Sequence, residues 1–163
     1  MLTDLVLFRH GKAVRPHEAR DDFERGLTLE GAAQASAQGA RLKDAGFLPD
    51  VVLVSTAFRA AQTWEAASAH FPNAPVRLTR TLYLAAPNVY LDAADITNMG
   101  RVMVIAHDPG LHELARYFTK GLKGTNPEID SLRAELPTSG IAWFSANPTA
   151  KHGFSLKHYF EPE

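Results

Sequence analysis

Leu5-Val6-Leu7-Phe8 runs straight into Arg9-His10-Gly11-Lys12. The first four residues are apolar without alternation, and the polar cluster begins where they stop. A short unbroken apolar run suits a strand buried on both faces, as in a parallel sheet covered by helices. Two further runs have the same character, Val51-Val52-Leu53-Val54 and Val102-Met103-Val104-Ile105. Over so few residues a buried helix segment reads the same way, so the segments between the runs must decide.

Those segments carry helical period. Ala57, Ala60, Ala61, Trp64, Ala67 and Phe71 recur at i, i+3, i+4, i+7, which predicts a helix of about four turns. Leu111, Leu114, Ala115 and Phe118 repeat the pattern on a shorter helix. Thr28 suits an N-cap for a helix that runs to about Asp44 and closes near Gly46. A weaker helix is expected after Pro87, with Gly100 as its stop. Val76 to Thr79 reads as an edge strand. Ile141 to Ser145 and Ser155 to Phe160 read as an antiparallel pair, and Gly121 to Thr138 as a long surface loop with at most one helical turn. Alternating strands and helices predict a three-layer α/β/α sandwich, its sheet mostly parallel with an antiparallel C-terminal pair.

Composition agrees with one such domain over residues 1–163. The chain is 45% hydrophobic and 21% charged, with no cysteine. Disulfides, thiolate zinc sites and cysteine nucleophiles are thereby excluded. A formal net charge of -1 argues against a generally basic nucleic-acid binder. The chain lacks an apolar run of about 18 residues, so no membrane span is expected. Asp4 interrupts the amino-terminal segment early, which does not suit a signal peptide. A soluble cytoplasmic protein is the expectation.

In open α/β sheets, ligands gather beyond the carboxyl ends of the strands. The first run is followed there by Arg9-His10-Gly11, the second by Ser55-Thr56 and Arg59, the last parallel one by His107-Asp108-Pro109-Gly110. A lone histidine beside a strand is commonly a structural hydrogen bonder, and a lone arginine at a helix start is commonly solvated. Two arginines, two histidines and two helix N-termini at one sheet edge make a site for a small dianion, most simply a phosphoryl group.

The set Arg9-His10-Gly11, Ser55-x-x-x-Arg59-x-x-Gln62-Thr63 and Ala106-His107-Asp108-Pro109-Gly110 resembles the histidine phosphatase superfamily. The short SixA-like phosphohistidine phosphatases are the nearer likeness. Asp22-Phe23-Glu24-Arg25-Gly26-Leu27-Thr28 resembles the segment before that family's first long helix, with Gly26 where proline is usual. The resemblance implies a phosphoglycerate mutase-like fold and a hydrolase that needs no metal or other cofactor. It implies His10 as nucleophile, Arg9 and Arg59 as phosphoryl ligands, and His107 completing their pocket. Gly11 would let the backbone turn sharply towards the phosphate.

The pattern departs from the larger enzymes of the superfamily in two places. Leu82-Tyr83-Leu84-Ala85-Ala86 holds no carboxylate where those enzymes carry a glutamate acid. Val14-Arg15-Pro16-His17 offers no asparagine where the mutases have one. Both absences argue against a sugar-phosphate mutase. They favour a substrate with a good leaving group, such as phosphohistidine, whose imidazole has a conjugate acid of pKa about 6.5.

Asp22 and Asp108 stand as candidate general acids, against a salt bridge for the first and a helix cap for the second. Lys12 could add positive charge or be merely solvated. Gln62 and Thr63 are expected to stabilise their helix, and His112 to approach the site from behind. The loop 13–26 and the segment 121–138 are expected to wall the pocket. The expected partner is a phosphorylated protein or a small phosphorylated molecule. A binding module without turnover is the competing reading, and the intact Arg9, His10, Arg59 and His107 set argues against it.

Overall fold

The computed structural model describes residues 1–163. Its six strands are β1 (Asp4–Arg9), β2 (Val51–Ser55), β3 (Val76–Thr79), β4 (Arg101–Ala106), β5 (Ile141–Ala146) and β6 (Phe154–Phe160). They form one sheet in the order β3-β2-β4-β1-β5-β6. β3, β2, β4 and β1 run parallel, β5 pairs antiparallel with β1, and β6 antiparallel with β5.

The unbroken apolar runs follow from the layers. Val6, Phe8, Val52, Val54, Met103 and Ile105 face α1 (Leu29–Asp44) and α2 (Phe58–Ala67), packing with Ala35, Leu42, Phe47 and Ala60. Leu5, Leu7, Val51, Leu53, Val102 and Val104 point the other way. They meet α3 (Pro87–Asp95), α4 (Gly110–Phe118) and α5 (Pro127–Ala134) through Tyr90, Ala94, Leu111, Leu114 and Leu132. Successive strand residues alternate faces, so a sheet covered on both sides must be apolar at every position. Fully burying a Leu, Val or Phe contributes about 1.5–3 kcal/mol relative to exposure.

Local signals explain most helix ends. The Thr28 hydroxyl accepts from the backbone N–H of Gly31 and opens α1. Gly46, at φ +97°, takes the left-handed conformation that ends the same helix without a Cβ penalty. Three expectations need correction. α2 stops at Ala67 and tightens into a 3-10 turn over Ser68–His70, so Phe71 reaches the core from beyond the helix. α3 ends at Asp95, short of Gly100, where the Thr97 hydroxyl bonds to Ala94 O and Asn98 turns left-handed. The segment 121–138 contains a two-turn helix, α5, capped by the Asn126 side chain. Its polar composition hid it, because only Leu132 and the following Leu136 are buried. No helix is long and apolar enough to cross a membrane.

Candidate active site

The parallel register decides which residues meet. β1 and β4 are aligned so that Arg9 pairs with Ala106, and His10 N–H donates to Ala106 O. His10 and His107 therefore leave adjacent strands side by side, with ring centroids 5.2 Å apart. β2 lies on the other side of β4, and its last residue, Ser55, reaches His107: Oγ lies 2.8 Å from Nε2. In the first turn of α2, Arg59 returns to His10. These strand ends open on a pocket of about 400 Å³, lined by Arg9, His10, Arg59, His107, Asp108, Asp22, Arg25 and Leu84 among others.

His10 is 8% exposed. Its Nδ1 lies 2.7 Å from the carbonyl oxygen of Gly11. A carbonyl can only accept, so Nδ1 carries the proton. Burial, reinforced by His107, Arg59 and Arg9, lowers the pKa to about 3 against the single opposing effect of that carbonyl. The ring is neutral at pH 7 and Nε2 bears a lone pair. Arg59 Nε donates to that atom at 3.3 Å.

The backbone at Gly11 is set by packing. Its N–H donates to Thr63 Oγ1 at 2.9 Å, and Thr63 in turn donates to Arg59 O at 2.8 Å. A Cβ on Gly11 would sit 2.8 Å from Gly31 O, and one on Gly31 would sit 2.2 Å from Lys12 O. The two glycines let the start of α1 lie directly against the His10 turn. Gly11 thus serves close approach of two backbones, and its N–H is already used.

Arg59 is the most enclosed cation, with its side chain 3% exposed. Its Nη1 donates to Asp22 O at 2.7 Å and its Nη2 to Asp22 Oδ2 at 3.0 Å. Asp22 sits in a strap, residues 13–26, closed at its base by Val14 N–H to Gly26 O and Thr28 N–H to Lys12 O. Arg25 Nη1 and the Tyr83 hydroxyl also donate to the Asp22 carboxylate. Burial would raise the pKa of Asp22, but bonds from Tyr83, Arg25 and Arg59 outweigh it and hold the carboxyl well below its usual range. Asp22 is an ion-pair partner with no proton to give at neutral pH.

Arg9 Nη1 donates to Leu136 O at 3.0 Å and approaches Asp108 Oδ2 at 3.5 Å, while its Nε is buried without a partner. His107 is 1% exposed, and burial, then Arg59, lowers its pKa to about 3. It too is neutral, with Nδ1 unpartnered. The Ser55 hydroxyl accepts from Ala57 N–H, and its remaining proton or lone pair meets His107 Nε2. Asp108 Oδ1 caps α4 by accepting from His112 N–H at 3.2 Å. Burial raises its pKa, opposed by Arg9 and His112.

The structure therefore gathers Arg9, His10, Arg59, His107, Asp22 and Asp108 around one pocket. Lys12 stands at the rim, paired with Glu30 at 2.9 Å and exposed. His112 Nε2 lies 2.7 Å from Leu132 O, behind the pocket. Gln62 accepts from Leu27 N–H at the base of the strap. Of 121–138, only Thr138 lines the pocket, although Leu136 O holds Arg9. Sequence reasoning missed Thr63 as the acceptor for Gly11 N–H, and the Tyr83 hydroxyl as a donor to Asp22. Thr63 lay in a quoted motif, one helical turn after Arg59; Tyr83 lay in the stretch quoted for its missing carboxylate, where nothing marked its hydroxyl.

Comparison with known proteins bears on the family and the fold. The family description "Histidine phosphatase superfamily (branch 1)" matches residues 5–83. An uncharacterised protein of Mycobacterium tuberculosis is 33% identical over 138 residues, covering 82% of this chain and 84% of its own. The structure is similar to SixA of Agrobacterium tumefaciens, assigned as a phosphohistidine phosphatase, with TM-score 0.84 and 27% identity over 99% of each chain. It is also similar to the protein histidine phosphatase SixA complexed with tungstate, at TM-score 0.74 and 25% identity over 98% of this chain and 97% of that one. A phosphoglycerate mutase of Plasmodium falciparum shares the fold, with TM-score 0.62 and 20% identity over 97% of this chain and 91% of its own.

Proposed function

We propose that this chain, which belongs to the histidine phosphatase superfamily and is a phosphatase, transfers the phosphoryl group of phosphohistidine in a protein to His10 Nε2 and then to water. The observation that carries the reading is the Gly11 carbonyl on His10 Nδ1, which leaves a lone pair on Nε2. A neutral imidazole with its second nitrogen held is a competent nucleophile at pH 7.

Arg59 Nε, Arg9 Nε and His107, its proton on Nδ1 while the Ser55 hydroxyl donates to Nε2, would receive the phosphoryl oxygens. Two are unpartnered in the free protein, and the third has only a 3.3 Å contact to give up. Donors fixed in a dry pocket are usually the largest catalytic term, each worth about 10²–10³ in rate. The charge is met by arginine, so the scheme uses no metal.

In the first step, His10 Nε2 bonds to phosphorus as the bond to the leaving group breaks. Asp108 supplies the proton that the leaving group takes up. Its carboxyl is already raised, and a bound dianion beside it raises it further. In the second step, water attacks phosphorus, its proton returns to Asp108, and His10 regains its lone pair. Asp22 is excluded from this role by its ion pairs.

Three points support phosphohistidine. Similar proteins are described as phosphohistidine phosphatases. A tungstate complex in one of them fits an oxyanion pocket. Leu82–Ala86 presents a tyrosine and no carboxylate. The raised carboxyl of Asp108 favours one second reading, a small phosphoester phosphatase, because an alkoxide needs such a proton.

The test is phosphate release from a phosphohistidine-bearing protein by wild type and His10→Ala, with chelator present, beside an alkyl phosphate. Release lost in the variant, with the alkyl phosphate turned over slowly, is expected. Undiminished release by His10→Ala would refute the mechanism. Faster turnover of the alkyl phosphate would establish the second reading.

A further inference from the structure

The buried guanidinium of Arg59 uses its edges unequally. The Nε edge faces His10, while Nη1 and Nη2 are both taken by Asp22, one through its backbone carbonyl and one through its carboxylate. Asp22 is the one carboxylate that Arg59 contacts, and a cation so enclosed is strongly unfavourable without a counter-charge. The carboxylate is itself held from two further sides. Arg25 donates to Oδ1 at 3.0 Å, and the Tyr83 hydroxyl donates to Oδ2.

Tyr83 is placed for this by packing. Its ring meets His107 edge-on at 5.4 Å and lies 5.9 Å from Arg59 Cζ. Phe23, the residue after Asp22, packs edge-on against the same ring at 4.9 Å and under the Arg80 guanidinium at 4.3 Å. The strap is thus fastened over the site by charge at Asp22 and by aromatic contact at Phe23.

A planar fork held along one edge can present only its remaining edge to a ligand. We propose that Asp22 and Tyr83 are a positioning pair that holds the outer edge of Arg59 and so aims its Nε edge at the phosphoryl position beside His10. The inference rests on Arg59 being a phosphoryl ligand. It gives the strap a task in the reaction, although no atom of Asp22 or Tyr83 needs to touch the reacting phosphorus.

Position and charge predict opposite signs. Asp22 is an anion near a dianion site, so removing its charge should by itself tighten oxyanion binding. Removing its grip on Arg59 should weaken it. Tungstate affinity measured by calorimetry, in a cycle with Arg59→Ala, separates the two. With Arg59 present, Asp22→Ala is expected to weaken tungstate about tenfold, a coupling of ordinary size for contacting residues. In the Arg59→Ala background the same change should tighten binding or leave it unaltered.

Tyr83→Phe keeps the ring and loses only the hydroxyl. It should weaken tungstate about two- to fivefold, again only with Arg59 present. Asp22→Asn, whose amide oxygen still accepts from Nη2, should restore part of the loss. Tightening by Asp22→Ala with Arg59 present would overturn the proposal. So would equal changes in the two backgrounds, or no binding by wild type. The cycle needs no turnover, so failure of the phosphohistidine chemistry leaves it readable. Its own failure leaves the His10→Ala assay standing.

Discussion

Acidification from pH 7 to pH 5 should destabilise this fold through the two histidines of the site. His10 and His107 titrate at about 3 in the folded chain, chiefly because they are buried. In the unfolded chain each would titrate at about 6.5. Below that value the unfolded state binds protons that the native state refuses, so stability is lost as the pH falls towards 3. Integrating the linkage from pH 7 to 5 gives about 2 kcal/mol per histidine, about 4 kcal/mol together. That is a large part of the 5–15 kcal/mol or so typical of a domain.

Few other shifts interfere. The depressed carboxyl of Asp22 also loses stability on acidification, but only below about pH 4. The raised carboxyl of Asp108 acts with the opposite sign, at the acidic end of the range. Urea unfolding of wild type and His10→Gln at pH 7, 6 and 5 reads the effect. The wild type should lose about 4 kcal/mol, and the variant about half of that, because one titrating ring is gone. Equal losses in the two proteins would refute a neutral, buried His10. A corollary is that the Nε2 lone pair remains available at pH 5, visible as an unprotonated ring by NMR.

Two further predictions concern how the His10 turn is held. Thr63→Val removes the acceptor of the buried Gly11 N–H without changing side-chain shape, which should cost about 1–3 kcal/mol, while Thr63→Ser stays near wild type. A urea midpoint for Thr63→Val matching wild type would show that Gly11 N–H finds another partner. Gly31→Ala places a methyl 2.2 Å from Lys12 O, backbone against backbone, and should cost about 3 kcal/mol or more, the upper range for over-packing. A loss below about 1 kcal/mol by thermal unfolding would mean that α1 can slide away from the turn without penalty.

The strands and four of the five helices were legible because each advertises itself locally. Unbroken apolar runs mark strands covered on both faces, and Thr28 and Gly46 bracket α1 with hydrogen-bonding and backbone chemistry that needs no distant partner. α5 was illegible because its stability comes from Leu132 and Leu136 docking on α4, and the rest of its surface is polar. The end of α3 was misplaced because side-chain bonds at Thr97 act before Gly100 is reached.

The chemistry-bearing residues were also legible in one dimension. Arg9-His10, Arg59 and His107 each follow a strand, and the rule that parallel strands end on one edge is enough to bring them together. What sequence by itself determined is this list of groups and their common edge. Tertiary structure decided their states. Burial makes both histidines neutral, and the Gly11 carbonyl selects Nε2 as the free nitrogen. Ion pairs strip Asp22 of a usable proton, and burial raises the carboxyl of Asp108 against the pull of Arg9. The reason is physical. Residue identity and strand order are written along the chain. Desolvation and hydrogen-bond direction depend on what segments 13–26, 82–85 and 132–139 bring to the site from far along it.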